Sequence, residues 1–243
     1  ASFLLLKRNK ISASLAEKEL KLEKDFTESQ TKFISESGNL LYKDVQKLEK
    51  YIPDIQDAPH GNTFVSGFDA FKKAVLKITY LNKLTNNEHM VKVSSHEIES
   101  IAKDILDKYQ PIALQNLVNL KASIEPNLTA KIDPEALRQL LTSTLDNAIK
   151  FTNQGGDINL TIKKLKTGKI SITVDDTGKG IPKDKIDHLF VPFSRATDTR
   201  KFDYAGLGLD LYMDKLVVDQ VNGKISIKSK EGAGTKVTIT SNS

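Results

Sequence analysis

The sequence has no cysteine and no long apolar run, and each absence excludes a class of protein. Without cysteine there are neither disulfides nor thiolate metal sites, which fits a reducing compartment. No apolar run approaches the roughly 18 to 20 residues that a membrane-spanning helix needs. Residues 3–8 are an apolar stub followed by lysine and arginine, a pattern typical of the cytoplasmic end of a span and equally of a coiled-coil start. Because residue 1 is not methionine, we expect a fragment of a longer protein.

The charge pattern argues against a nucleic-acid partner. The net charge of +5 comes from basic residues spread along the predicted helices and hairpins, without an aromatic-interleaved stripe. This distribution is typical of a solvated surface that tolerates anions, such as nucleotide phosphates or the acidic face of a partner protein. A chain of 243 residues is long enough for two modest domains.

The first part of the chain predicts a pair of helices. Apolar residues between 10 and 52 recur at steps of three, four and seven, which indicates a long amphipathic helix. Turn-forming residues from Pro53 to Asn62, including Gly61, are predicted to break it, and a second helix is predicted over residues 66–86. Since each helix keeps an exposed apolar stripe, we expect a homodimer in which two antiparallel hairpins form a four-helix bundle.

The composition changes after residue 87, where a second domain is predicted to begin. Ser94 to Glu97 has the spacing of a capping box, with His96 as a surface cap residue, and the helix it starts should end at Gln110, before Pro111. Asp133 and the proline after it should cap a further helix. The remaining predicted elements are strands at 120–124, 158–165, 170–174, 224–229 and 236–240, and helices at 134–151 and 208–221.

This order of elements predicts an α+β protein. Residues 1–92 should form the dimerisation hairpin, and residues 93–243 a two-layer α/β sandwich with a mixed sheet.

Four short motifs follow one another in the second domain. They are Asp146 to Phe151 at a helix end, Asp176 to Pro182 after a strand, Gly206 to Leu209 before a helix, and Gly234-Thr235 in the last hairpin. Each motif alone is weak, because glycine-rich turns are common. Together they resemble the N, G1, G2 and GT boxes of the GHKL ATP-binding fold, and the catalytic domain of sensor histidine kinases most of all. The resemblance implies ATP and Mg²⁺ as cofactors and a role in a two-component system.

The resemblance also implies roles around adenine. Asp176 would accept a hydrogen bond from the adenine amino group, since it precedes a turn that Gly178 and Gly180 leave open for a flat ring. Ile181 belongs to the same turn. Thr235 would reach adenine with its hydroxyl, through a water molecule.

Other residues would serve magnesium and the phosphates. Asn147 matches the magnesium-binding asparagine, and Lys150, on the same helical face, would meet phosphate as a point charge. The helix start from Gly206 to Leu209 would turn free N–H groups toward the phosphates, although Tyr204-Ala205 replaces the family's preceding Gly-Thr pair. The segment 194–204 resembles the lid over the triphosphate, with Arg195 among its cations. The hydrophobic F box is matched by Phe190 and Phe193.

The chain departs from the family at two chemical positions. Ser143 stands one turn before Asn147, where asparagine, histidine or glutamate is usual, so it would be a weak catalytic group. Asn39 stands where the phospho-accepting histidine should be, and an amide is not a competent acceptor. His96 lies too close to Asn147 to leave room for a helical hairpin, and His60, in the hairpin loop, is the least improbable substitute.

Several functions stay open at this stage. The chain is predicted to be the cytoplasmic core of a two-component sensor histidine kinase homologue, in an inner-membrane sensor with an upstream sensing region. Its partner would be a response regulator receiver domain. Alternatively, it is a degenerate kinase that works as an ATP-binding dimeric scaffold. A different GHKL ATPase or serine kinase, or a coiled-coil dimer with an inactive α/β domain, are further alternatives.

Overall fold

A computed structural model describes residues 2–55, 60–85, 94–194 and 208–241. The chain forms two compact units, a helical hairpin within residues 1–86 and an α/β domain within residues 87–243. The predicted order, an N-terminal helical hairpin followed by an α/β domain with a mixed sheet, is confirmed. The boundary predicted between residues 92 and 93 lies outside the described residues.

The hairpin consists of α1 (Ser2–Glu49), the short α2 (Ile52–Ile55) and α3 (Gly61–Thr85). The first long helix ends before the predicted break, at Glu49, but the second helix begins at Gly61 and not at the predicted residue 66. The turn before it is closed at His60, whose φ is 66° and whose carbonyl accepts hydrogen bonds from Thr63 and Phe64 at 3.1 Å. In a first turn the N–H of glycine has no helical partner to lose, so the residue is tolerated there. No helix in the described ranges is both long and apolar enough to cross a membrane.

The two long helices of the hairpin pack through a small apolar core and one close backbone approach. Val45 of α1 is buried with Phe68 and Val75 of α3. Farther along, Gly38 of α1 lies against Ile78 of α3, where a Cβ on residue 38 would overlap the Ile78 Cγ2 and lie 2.9 Å from its Cβ. The missing side chain at residue 38 therefore allows the close approach of the helices directly before Asn39.

Gly38→Ala should destabilise the hairpin by about 1–3 kcal/mol, because the new methyl group overlaps a β-branched side chain. The matched control is Gly67→Ala in α3, where a Cβ meets nothing within 4 Å. Alanine is the better helix former, so the control should gain roughly 0.5–1 kcal/mol. The measurement is the thermal transition of the full chain at 222 nm by circular dichroism. Shifts of the same sign in both variants would contradict the packing role of Gly38.

The α/β domain is built on a five-stranded sheet of order β2-β4-β5-β7-β6. Strands β2 and β4 are parallel and the other neighbours are antiparallel, so the sheet is mixed. Its elements are β1 (Ser94–Glu97), α4 (Ile98–Gln115), β2 (Asn119–Ile124), β3 (Thr129–Ile132), α5 (Pro134–Phe151), β4 (Asp157–Lys164), β5 (Ile170–Asp176), α6 (Lys183–Ile186), α7 (Asp210–Gln220), β6 (Lys224–Lys230) and β7 (Gly234–Ser241).

The core of this domain lies between the sheet and the helices α4, α5 and α7. Alternate residues of the central strands are buried on the helical side, as the period of a half-covered sheet requires. The opposite face carries hydroxyl and charged side chains. Among the most buried side chains are Leu137, Leu141 and Leu145 of α5, Ile158, Leu160 and Ile162 of β4, Ile170, Ile172 and Val174 of β5, and Met213 and Val217 of α7.

The capping box predicted at Ser94 to Glu97 is wrong. These residues form β1, which pairs antiparallel with β3, and α4 begins only at Ile98. The N–H of Ile98 donates to the carbonyl of Leu128 at 2.9 Å, so backbone from the neighbouring segment satisfies the helix start instead of a serine side chain. His96 is therefore a strand residue, with its Nε2 2.7 Å from the Ser94 hydroxyl.

Helix α4 also continues past the predicted end at Gln110. Pro111 lies inside it, and the helix ends at Gln115. Proline deprives the carbonyl of Asp107 of its helical partner. Both residues are exposed, so water can hydrate that carbonyl and the helix continues.

Candidate functional site

The adenine side of the candidate site is centred on Asp176, the last residue of β5. Its side chain is buried, and its Oδ1 accepts hydrogen bonds from the N–H of Gly178 at 2.8 Å and of Thr235 at 3.2 Å. Burial raises the pKa of the carboxyl group, while these two N–H donors act to lower it. No described residue donates to Oδ2. The carboxylate is thus held by one oxygen, and the other is available as an acceptor.

Three glycines let backbone segments converge on this carboxylate. A Cβ on Gly178 would overlap the carbonyl oxygen of Phe151 at the end of α5, and one on Gly180 would overlap that of Lys230. A Cβ on Gly234 would overlap the carbonyl oxygen of Asp176 itself. These contacts bring the turn after β5, the end of α5 and the β6–β7 hairpin together with no side chain between them.

A hydroxyl network joins the turn to the hairpin. Ser229, near the end of β6, accepts a hydrogen bond from the N–H of Ile181 and donates to the carbonyl of Gly234, each at 2.8 Å. Its Oγ also lies 2.8 Å from the Oγ1 of Thr235, its partner across the β6–β7 ladder. The hydroxyl of Thr235 is thereby held near the same carboxylate that its backbone N–H contacts.

The helix α5 carries a second group of polar residues at its C-terminal end. Asp133 caps the start of α5 by accepting from the N–H of residues 135 and 136 at 2.9 and 3.2 Å, as predicted. Asn147, near the end, is half-buried, and its side-chain amide has no hydrogen-bond partner among the described residues. Lys150 is exposed one turn later, with its Nζ 4.9 Å from the centre of the Phe151 ring. The N–H of Lys179 donates to the Phe151 carbonyl at 3.0 Å, which places this end beside the turn after β5.

Two hydrogen bonds, one part-buried and one buried, hold α5 against its neighbours close to Asn147. The Tyr109 hydroxyl of α4 donates to Asp146 Oδ1 at 2.7 Å, and burial, with this carboxylate, raises the pKa of the phenol. On another face, the Ser143 hydroxyl donates to Oδ2 of Asp214 at 2.6 Å, and both side chains are buried. Asn147 thus lies on a helix that is fixed to both α4 and α7.

The sequence comparisons place this arrangement in a family. Residues 132–242 match the family described as Histidine kinase-, DNA gyrase B-, and HSP90-like ATPase. Sensor histidine kinase YkoH of Bacillus subtilis (strain 168) is 34% identical over 167 residues, which are 66% of this chain and 36% of that protein. Sensor histidine kinase RcsC of Escherichia coli (strain K12) is 26% identical over 204 residues, 83% of this chain and 21% of that protein. Residues 132–242 thus form a histidine-kinase-type ATPase core. The whole chain spans little more than a third of the first relative and about a fifth of the second.

Solved structures share the fold of this kinase core. Full-length ShkA in complex with AMPPNP aligns with a TM-score of 0.67 at 16% identity, covering 86% of this chain and 45% of that chain. The Acinetobacter baumannii histidine kinase AdeS aligns with a TM-score of 0.62 at 16% identity, covering 82% and 93%. At such low identity the likeness shows the fold alone.

The fold brings most of the predicted site residues of the kinase core together. One cluster, linked by the hydrogen bonds and close backbone contacts above, contains Asp176, Gly178, Gly180, Ile181 and Thr235. The end of α5, with its asparagine and lysine, lies directly beside this cluster.

The predicted phosphate side of the kinase core is described only in part. Gly208 has a φ of 67° and accepts a hydrogen bond from the N–H of Phe193 at 2.9 Å, while Leu209 is fully buried before α7. Arg195, Gly206 and Leu207 lie outside the described residues. So does the side chain of Asn39, whose backbone belongs to α1.

Sequence reasoning missed three residues that hold the site in place, namely Tyr109, Asp214 and Ser229. One signal was available for Asp214, a charged residue within the apolar stripe that Met213, Val217 and Val218 form on α7. Tyr109 bonds to Asp146, 37 positions away, and Ser229 joins its own hairpin to Ile181, 48 positions away, and no local pattern indicates either bond.

Proposed function

We propose that the α/β domain binds ATP together with Mg²⁺ for phosphoryl-transfer signalling. The observation that carries the proposal is Asp176, a buried carboxylate with one oxygen fixed by two N–H donors and the other open. An acceptor of this kind complements the amino group of adenine and repels the carbonyl group that guanine has at the same position. The convergence of three backbone segments, which Gly178, Gly180 and Gly234 make possible, supports the proposal because it holds this carboxylate in a fixed position.

The end of α5 fits the magnesium and phosphate side of this proposal. Mg²⁺ favours oxygen ligands and retains several waters, so one amide oxygen from Asn147 and the phosphates would suffice. The exposed ammonium group of Lys150, one turn on, would meet a phosphate. Ser143 is bonded to Asp214, so it positions the helix that carries Asn147 and does not itself act on the nucleotide. The metal would neutralise phosphate charge when bound, and Arg195 would add a further cation.

Asn147→Ala should abolish the Mg²⁺-dependent part of ATP affinity and leave the metal-free affinity unchanged, because only the metal contact is removed. The measurement is a calorimetric titration of the full chain with ATP, with and without Mg²⁺. The matched control is Asn153→Ala, because Asn153 is an exposed asparagine just beyond the same helix. If Asn147→Ala responds to Mg²⁺ as the unmodified chain does, the metal assignment is wrong.

The hairpin supports dimerisation as part of the proposal. Several large apolar side chains on α1 are exposed in the single chain, and Phe26, Phe33 and Leu40 repeat at intervals of seven residues. A stripe with this spacing is typical of a helix that packs against a second copy. The homodimeric bundle would then be the surface that a response regulator receiver domain meets, on the cytoplasmic side of an inner-membrane sensor.

The acceptor of the phosphoryl group separates two versions of the function. In the first, the γ-phosphoryl group passes from ATP to an imidazole nitrogen, ADP leaves, and the acceptor is a histidine such as the exposed His60. In the second, which Asn39 favours, the chain is a degenerate kinase that binds ATP as a dimeric scaffold. Incubation with γ-labelled ATP distinguishes them, since acid-labile label on this chain would exclude the scaffold version. Acid-stable label would instead indicate a serine kinase.

A further inference from the structure

We propose that Ser229 is a positioning residue that fixes the Thr235 hydroxyl as a pure acceptor and so sharpens the selectivity for a 6-aminopurine nucleotide. The inference rests on the proposed binding of ATP and extends it to a residue outside the four motifs. Ser229 is half-buried on β6, directly opposite Thr235. It connects the turn after β5 to the β6–β7 hairpin.

The Ser229 hydroxyl has a single proton, and three polar groups lie within hydrogen-bond distance of its oxygen. A serine hydroxyl donates one hydrogen bond and accepts two. The N–H of Ile181 at 2.8 Å occupies one acceptor position, and the Gly234 carbonyl, also at 2.8 Å, takes the proton. The remaining contact, 2.8 Å to Thr235 Oγ1, must then be donated by Thr235.

The Thr235 hydroxyl consequently has no proton left for a ligand. Its proton is committed to Ser229, so only its lone pairs remain for a nucleotide or a bridging water. The backbone N–H of Thr235 donates to Oδ1 of Asp176, and this hydrogen bond holds the acceptor side chains of Thr235 and Asp176 next to each other.

Two acceptors at one edge of the pocket discriminate between purine bases. The amino group of adenine, or a water that it orients, can donate to them. The carbonyl oxygen of hypoxanthine offers no proton there and meets lone pairs instead. Ser229 thus adds to the selectivity that Asp176 establishes, by preventing Thr235 from rotating its proton toward a 6-oxo base.

Ser229→Ala should lower the affinity for Mg-ATP about fivefold, the effect of about one hydrogen bond. The affinity for inosine triphosphate (ITP) should stay the same or rise, because the freed Thr235 hydroxyl can then donate. The preference for ATP over ITP should therefore fall about fivefold or more. Both nucleotides are titrated into the full chain by calorimetry. The matched control is Ser226→Ala on the same strand, because within the described part of the chain the Ser226 hydroxyl donates only to the Thr238 carbonyl, at 3.5 Å.

A second pair of variants tests the hydroxyl itself. Ser229→Thr retains the hydroxyl and should keep the preference for ATP, whereas Ser229→Val, of the same shape, should lose it. Both are β-branched residues suited to a strand, so they keep the test valid if the alanine variant does not fold. A fall in affinity that is equal for ATP and ITP, or no change in the ratio, would overturn the role of Ser229. If the unmodified chain bound neither nucleotide, the proposed ATP function itself would fail.

Discussion

Asp176→Asn should reduce the affinity for ATP by about 100-fold or more while the domain stays folded. Because Oδ1 accepts from two N–H groups, the asparagine carbonyl will take that place and turn its NH₂ group to the position of Oδ2. Two donors then face each other when adenine binds. Losing a charge-assisted bond costs about 1.5–3 kcal/mol, and leaving a buried donor unpaired costs about 1–3 more. Since about 1.4 kcal/mol is a factor of ten, about 100-fold is the lower bound.

The preference of this variant for ATP over ITP should be lost or reversed. The NH₂ group at the former Oδ2 position complements the carbonyl oxygen of a 6-oxo purine. ITP should therefore bind Asp176→Asn at least as well as it binds the unmodified chain, so the ratio of the two affinities inverts or approaches one. Titration of both nucleotides measures this ratio. If the variant still preferred ATP, the adenine base would have to bind away from Asp176.

The stability of the same variant should not fall. Burial raises the pKa of Asp176, so above that pKa the ionised carboxylate disfavours the folded state. Asparagine removes this cost, and the melting temperature at neutral pH should equal or exceed that of the unmodified chain. The difference should shrink as the pH falls through the pKa of Asp176, because the wild-type carboxyl group then becomes neutral as well. Weaker binding with unchanged or higher stability is the signature of a ligand-facing group.

Asp175→Asn is the matched control for this experiment. The neighbouring side chain points to the other face of β5, is half-buried, and pairs with Lys236 at 2.6 Å. An ion pair at this exposure contributes about 0–1 kcal/mol, so both binding and stability should change little. An equal loss of ATP affinity in both variants would indicate a general effect of charge rather than a specific contact.

Local chemistry explains which parts of the fold the sequence predicts. The start of α5 follows from Asp133 and the proline after it, because the cap bonds join residues only two and three apart. The position of Asp176 at the end of a strand follows equally from its alternating neighbours and the glycines after it. In these places the local structure is determined by residues a few positions apart, so the sequence alone predicts it.

Contacts between distant segments explain the errors. The spacing from Ser94 to Glu97 meets the rule for a capping box, but pairing with β3, more than thirty residues away, makes it a strand. The same limitation hid the bond from Ser143 to Asp214, whose partners are 71 positions apart. The family resemblance showed that residue 143 is unusual. Its hydrogen-bond partner is brought near only by the packing of α7 on α5. The candidate site is thus predictable as a set of motifs, while the residues that position it are not.

Gly234→Ala should both destabilise the domain and weaken ATP binding, because this glycine is where β7 meets the adenine cluster. Its φ is 95°, a conformation that costs an L-residue about 1–2 kcal/mol. The added Cβ would overlap the Asp176 carbonyl oxygen and lie 2.9 Å from the carbonyl carbon, which adds about 1–3 kcal/mol of overpacking. The total is about 2–5 kcal/mol of folding free energy, measurable by urea denaturation.

Relief of this overlap requires β7 to move away from β5. This movement should lower the ATP affinity for a reason other than backbone strain. The N–H of Thr235 would retreat from Asp176, and the Gly234 carbonyl from Ser229. We therefore expect the ATP affinity of the folded variant to fall about tenfold, the effect of one or two hydrogen bonds. Gly232→Ala is the matched control, since its φ of 75° imposes similar backbone strain but a Cβ there meets nothing within 4 Å. This control should lose about 1–2 kcal/mol and bind ATP normally; equal binding losses in the two variants would show that strain in the hairpin, not the contact with Asp176, limits the site.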